Sequence, residues 1–250
     1  MRVSRVLGAA IGAALLTATM ATPSALAQPP SGSSTGSTVE SDFYLPPSPL
    51  PAGSPGDLIR SEPSHLAISL PSIGGTLPGV ATRIMYRSND SNGEANAVTG
   101  TYIDPAAEWT GPGPRPLVVV APCTQGQGDQ CAPSKMLNHL ITYTPPIGPM
   151  VEYEVLAAYS FLVQGYGVVI TDYDGLGTPG AHTYVNRAAE AHAVLGAARA
   201  AQRLSGTKIS GNGPVGAYGY SQGGGAAAAA AELADEYAPE LDLVGTYAGA

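Results

Sequence analysis

Between Val215 and Tyr247 the chain reads as an apolar strand, a glycine-flanked serine, an alanine-rich helix and a second apolar strand, and few folds accommodate that order. Val215–Tyr220 is a short apolar run. A helix over Gly223–Tyr237 is built on six consecutive alanines, and Leu241–Tyr247 is the next strand. Two neighbouring strands joined through a helix run parallel, and a parallel sheet is covered on both faces. The upstream sequence agrees. Leu117–Ala121 and Gly167–Asp172 are continuous apolar runs of the kind found in strands buried on both faces, with a helix expected around Glu152–Gln164 between them. Thr82–Arg87 and Asn96–Ile103 read as two earlier strands around a polar turn at Ser88–Gly93. Thr183–Leu204 repeats apolar and alanine positions at helical spacing and places Glu190 and Arg199 on its polar positions. The class is α/β, a mostly parallel sheet with crossover helices.

The N-terminal 60 residues have another character. Arg2 and Arg5 precede the apolar run Val6–Leu16, and Ala25-Leu26-Ala27 supplies small residues before a cleavage point. This is the pattern of a secretory signal peptide cut after Ala27. The competing reading, a membrane anchor, is disfavoured because the run falls short of the roughly 20 residues that span a bilayer. Residues 28–60 are rich in Ser, Gly and Pro and are expected to form a linker or an arm lying over the domain that occupies 61–250. Export implies a secreted, extracellular protein. Cleavage would remove two arginines and no acids, moving the formal charge from −8 to −10. That balance excludes nucleic acid as a partner, since such binding draws on Lys and Arg at phosphates. Cys123 and Cys131 would meet an oxidising environment, and could bridge to each other or pair with something beyond this chain. With no CxxC and no paired His/Cys set, no metal is expected.

Gly219-Tyr220-Ser221-Gln222-Gly223 is G-x-S-x-G. In a chain with 32 glycines the bare pattern is weak, and its position between strand and helix is what makes it a nucleophile elbow. There the serine occupies a strained turn that only small neighbours permit, at the N-terminal end of a helix whose dipole favours negative charge. Ser221 is the candidate nucleophile. An oxyanion hole takes one N–H from the residue after it, Gln222, and one from the loop after an earlier strand. Here that loop is Cys123-Thr124-Gln125-Gly126, with Gln125 the first choice and Thr124 and Gly126 close behind. Asp172 and Asp174 leave a strand at the same sheet edge and read as turn or helix-capping residues that could also shape the site. Tyr220 reads as a buried packing residue. Asp235 and Asp242 read as solvated charges. The catalytic acid and base should follow the serine in chain order, yet His65, His139, His182 and His192 all precede it.

The elbow, Thr171-Asp172-Tyr173-Asp174-Gly175-Leu176-Gly177-Thr178-Pro179-Gly180 and the Ala121–Ser134 segment together resemble the secretory lipase family of exported microbial lipases, from about Phe43 to the last residue. The resemblance implies an α/β-hydrolase fold, cut off after about its sixth strand, and triacylglycerol lipase or broad esterase activity by an acyl-enzyme mechanism. It also implies a lid-like insertion after that strand, with acid and base beyond residue 250. Cys123 stands where a small residue such as glycine would be expected. The substrate would be a lipid or other ester at an oil–water interface, with no cofactor and a monomeric protein. A short-chain carboxylesterase or cutinase-like hydrolase and a non-catalytic exported protein of the same fold are the alternatives.

Overall fold

The computed structural model describes residues 42–72, 75–144 and 148–250. The expected signal peptide lies outside the described residues, as does the first part of the 28–60 segment. The chain order is β1 (Leu58–Ser64), β2 (Leu70–Ser72), β3 (Gly75–Leu77), β4 (Gly79–Asn89), β5 (Ala95–Pro105), β6 (Leu117–Ala121), α1 (Pro133–Met136), β7 (Ile141–Thr144), β8 (Gly148–Val151), α2 (Glu154–Leu162), β9 (Gly167–Thr171), α3 (Arg187–Arg203), β10 (Val215–Tyr220), α4 (Gln222–Tyr237) and β11 (Leu243–Gly249). Among the described residues the main sheet has seven strands, in the order β1-β4-β5-β9-β6-β10-β11. β1, β4, β5 and β9 pair antiparallel in turn, whereas β9, β6, β10 and β11 are parallel. β2 with β3, and β7 with β8, form separate two-stranded ribbons.

Leu58–Ser64 adds a seventh strand to the six read from the sequence, pairing along β4 as an outer strand. Phe43 and Tyr44, inside the segment expected to be a linker or an arm lying over the domain, are buried against Met85 and Ala97.

Strand pleating divides the interior into two layers. Along β6, Leu117, Val119 and Ala121 face the alanines of α3 and α4, while Val118 and Val120 face Leu162 and Ala158 of α2. β9 splits likewise, Val169 to the first layer and Val168 and Ile170 to the second. Each such branched side chain contributes on the order of 2 kcal/mol by leaving water. α3 starts at Asn186, whose side chain accepts the Ala189 N–H at 3.1 Å.

The chain steps from β6 to β9 on one side, then returns past β6 to β10 on the other. Such a reversal opens a crevice at the carboxyl ends of the parallel strands. The loops leaving β6, β9 and β10 meet there. No described helix is long and apolar enough to cross a membrane.

Candidate active site

β10 ends at Tyr220 and α4 begins at Gln222, so one residue, Ser221, makes the whole turn. Its φ of 56° and ψ of −119° lie where L-residues are strained. The turn is braced: Ser221 N–H donates to the Gly249 carbonyl at 3.0 Å, and Gly225 N–H donates to the Ser221 carbonyl at 3.1 Å. The hydroxyl-bearing side chain is exposed. Backbone crowding explains the glycines. A Cβ on Gly219 would stand 2.0 Å from the Gly223 oxygen, one on Gly223 1.9 Å from the Ala121 oxygen, and one on Gly224 1.9 Å from the Gly249 oxygen. The N–H of Gln222 belongs to the first turn of α4, where main-chain donors have no partner within the helix and the dipole is positive.

The loop after β6 runs beside this turn, with the Pro122 oxygen also near Gly223. Tyr173 Oη donates to the Pro122 carbonyl at 2.8 Å, and Thr124 Oγ1 meets Tyr184 Oη at 3.0 Å. Cys123 N–H donates to Glu154 Oε1 at 2.7 Å. Gln125 sits half-buried in the same loop, its side chain 3.9 Å from the Cys123 sulfur. Both cysteines are free thiols, and Cys131 Sγ faces Met150 Sδ at 3.7 Å. Burial, and secondarily the Glu154 carboxylate, pushes the Cys123 thiol up to about 12. That thiol is protonated near neutrality and is a poor nucleophile.

The loop after β9 supplies the other wall. Asp172 is fully buried and reaches the first turn of α1. Its Oδ1 accepts the Ser134 N–H at 2.8 Å, and its Oδ2 accepts the hydroxyls of Thr99 at 2.6 Å and Ser134 at 2.5 Å. It ties the end of β9 to α1 and to β5. Asp174 Oδ1 accepts from Asn96 Nδ2 at 2.7 Å, and its carbonyl meets His182 Nδ1 at 3.2 Å. Both carboxyls are held above the ordinary aspartate value by burial.

Three residues that sequence reasoning did not place at the site belong to this region. Glu190, expected on a polar position of α3, is buried, and its Oε1 accepts from Gln222 Nε2 at 2.7 Å and from Val185 N–H at 2.9 Å. His182 Nε2 lies 3.1 Å from the same Gln222 nitrogen. Glu154 joins α2 to the loop after β6. An acid in an alanine-rich helix carries no periodic signal of which face it occupies, and nothing in the sequence pairs residues 182 and 190 with 222. Conversely, Tyr220, expected to be buried, is 52% exposed because it ends β10 on the open side of the crevice. Among the described residues the imidazoles are engaged away from the Ser221 hydroxyl. His65 and His139 meet edge to face, His192 stacks on Tyr237, and His182 stacks on Tyr173.

A family model described as "Secretory lipase" matches residues 145–250. The chain is 32% identical over 214 residues to "Probable inactive lipase MT1628" of Mycobacterium tuberculosis (strain CDC 1551 / Oshkosh), covering 83% of this chain and 44% of that protein. It is 29% identical over 209 residues to "Secreted triacylglycerol lipase LIP7" of Malassezia globosa, covering 82% and 42%. Among solved structures it is similar to lipase A of Candida antarctica in its closed state, with a TM-score of 0.64, 24% identity, and coverage of 82% and 44%. A rice cell wall degrading esterase, LipA from Xanthomonas oryzae, superposes with a TM-score of 0.53 at 23% identity, covering 78% and 50%. The chain thus spans under half the length of these two curated relatives. The structural likenesses show the α/β-hydrolase fold.

Proposed function

The chain belongs to the secretory lipase family, and from that premise we propose that it serves an exported ester hydrolase acting on triacylglycerols by an acyl-enzyme mechanism. The observation that carries this reading is the exposed serine held at φ 56° between a parallel strand and the first turn of a helix. Ser221 Oγ attacks the ester carbonyl carbon and its proton passes to a general base. The carbonyl oxygen becomes an oxyanion held by the main-chain N–H of Gln222 and by one from the loop after β6, with Gln125 as the assigned second donor. Because Cys123 N–H is already bound to Glu154, the second donor falls to the residues after it. Collapse of the tetrahedral intermediate expels the alcohol, and water then releases the fatty acid. Secretion is supported by the printed name of the Malassezia relative and by the N-terminal sequence pattern.

A second reading, a non-catalytic member of the family, is favoured by the printed name of the Mycobacterium relative. A fluorophosphonate probe separates the two. Incubation at mildly alkaline pH with added imidazole as an external base, followed by peptide mapping, should place the adduct on Ser221, and Ser221→Ala should abolish it. Modification spread over surface hydroxyls, or none at Ser221, would favour the non-catalytic reading. Turnover of emulsified long-chain triglycerides against soluble short esters distinguishes a lipase from a carboxylesterase.

A further inference from the structure

The side chain of Gln222 is anchored by two acceptors that approach from a different part of the chain. We infer that His182 and Glu190 are positioning residues that hold Gln222, and with it the peptide between Ser221 and Gln222, in the orientation that points its N–H at the oxyanion. The inference rests on the reading of Gln222 as an oxyanion donor and extends it to residues that never touch the substrate.

The protons in this network are assigned by chemistry. Asp174 contributes a carbonyl oxygen, which only accepts, so His182 Nδ1 at 3.2 Å is the protonated nitrogen. His182 Nε2 then carries a lone pair. The Gln222 amide nitrogen, 3.1 Å away, donates one hydrogen to it and the other to Glu190 Oε1 at 2.7 Å. Both donors of one NH2 group are used, and neither acceptor can be exchanged by flipping the amide, because the amide oxygen would then face a carboxylate. Glu190 is fixed in turn by the Val185 N–H, just ahead of the Asn186 cap of α3. Thr183 N–H and Oγ1 also reach the Asp174 carbonyl, so the 174–190 segment clamps over the start of α4. Gln222 itself is only 6% exposed.

This arrangement works only with neutral His182. A proton on Nε2 would set two donors against each other. The groups facing the ring are Asp174 from the loop after β9, Tyr173 stacked on it, Tyr184 at its edge and Gln222 from α4, with Glu190 of α3 beyond the Gln222 amide. Burial holds the His182 value below the ordinary imidazole range and that of Glu190 above the ordinary carboxylate range. The anchored state therefore prevails above the His182 midpoint and is lost as pH falls through it.

The test uses the 250-residue chain with 15N labelling. Long-range proton–nitrogen correlation of the imidazoles should give His182 as the Nδ1–H tautomer at pH 7, and the Gln222 backbone amide should shift between pH 7 and 4.5 with the His182 midpoint. At pH 7 the Gln222 amide of His182→Ala should sit near its acid-state position in the unmodified chain. Glu190→Gln, which keeps an acceptor oxygen, should leave it in place, while Glu190→Ala moves it. An Nε2–H tautomer, or a Gln222 amide indifferent to the His182 titration in the unmodified chain, overturns the inference whether or not the variants fold. The rate of fluorophosphonate capture at Ser221 should fall roughly tenfold to a hundredfold in His182→Ala. If the Gln222 amide responds as described and that rate does not change, positioning stands and the oxyanion role of Gln222 fails.

Discussion

A Cβ added to Gly223 would lie 1.9 Å from the carbonyl oxygen of Ala121, so the first turn of α4 and the end of β6 touch through bare backbone. That oxygen cannot move without disturbing the strand that delivers the oxyanion loop. Gly223→Ala should therefore cost at least about 2–3 kcal/mol and reduce probe capture at Ser221. Two residues on, Gly225 has nothing within 4 Å of the same added atom, and it lies inside α4. Gly225→Ala should gain about 0.5–1 kcal/mol through helix propensity and lower unfolded-state entropy. Chemical denaturation of the two variants measures the contrast, and equal effects would show that the packing argument is wrong.

Strain at Ser221 makes the next expectation run against intuition. A non-glycine residue at φ 56° and ψ −119° stores roughly 1–3 kcal/mol. Ser221→Gly removes that strain but adds freedom to the unfolded chain, leaving a net gain of about 1 kcal/mol. In a domain of this size the melting temperature should rise by about 2–4 °C while probe capture disappears. A lower melting temperature than that of Ser221→Ala would mean that the turn is relaxed.

Which features were legible in the sequence follows from how each is buried. β6, β9 and β10 are flanked by strands and packed on by helices, so Leu117–Ala121, Gly167–Thr171 and Val215–Tyr220 are largely apolar, and their boundaries could be read within a residue. β1 is an outer strand containing Arg60, Glu62 and Pro63, one side free of sheet partners among the described residues, so it carries no apolar run. The position of Ser221 was readable because a strained turn between strand and helix demands glycines at fixed offsets. The shell around it was not. Glu190 and Arg199 occupy α3 positions that look solvent-facing beside so many alanines, yet both are buried. Glu190 is held by Gln222, and Arg199 by Glu240 and the Tyr237 carbonyl. Such partners come from elements far apart in the chain, and local periodicity does not encode them.

Asp172 distinguishes need for charge from need for hydrogen bonds. It accepts three of them from Ser134 and Thr99 while fully buried, and burial raises its carboxyl above the ordinary value. Asn at this position keeps an acceptor for the Ser134 N–H and offers an NH2 to two hydroxyls, which can rotate to accept. Asp172→Asn should stay within about 1 kcal/mol of the original stability, whereas Asp172→Ala leaves buried donors unpaired and should cost about 3 kcal/mol. A large loss in Asn as well would show that the charge itself is required.

Glu152 supplies the clearest dependence on pH. Its Oε1 accepts the Glu154 N–H at 3.0 Å, and its buried Oε2 has no partner among the described residues. Burial, with the nearby carboxylates of Glu154 and Asp172 adding to it, pushes its carboxyl up to about 8. The folded protein thus keeps a proton that the unfolded chain releases above the ordinary value of 4.5. The associated stability is complete below about pH 4.5 and drains away as pH rises through 8, by at most about 5 kcal/mol at 1.36 kcal/mol per unit. Glu152→Gln has no proton to release. Its stability, followed by urea unfolding at several values between pH 5 and 8.5, should fall less steeply with rising pH than that of the unmodified chain. Parallel pH profiles in the two proteins would place Glu152 in contact with water.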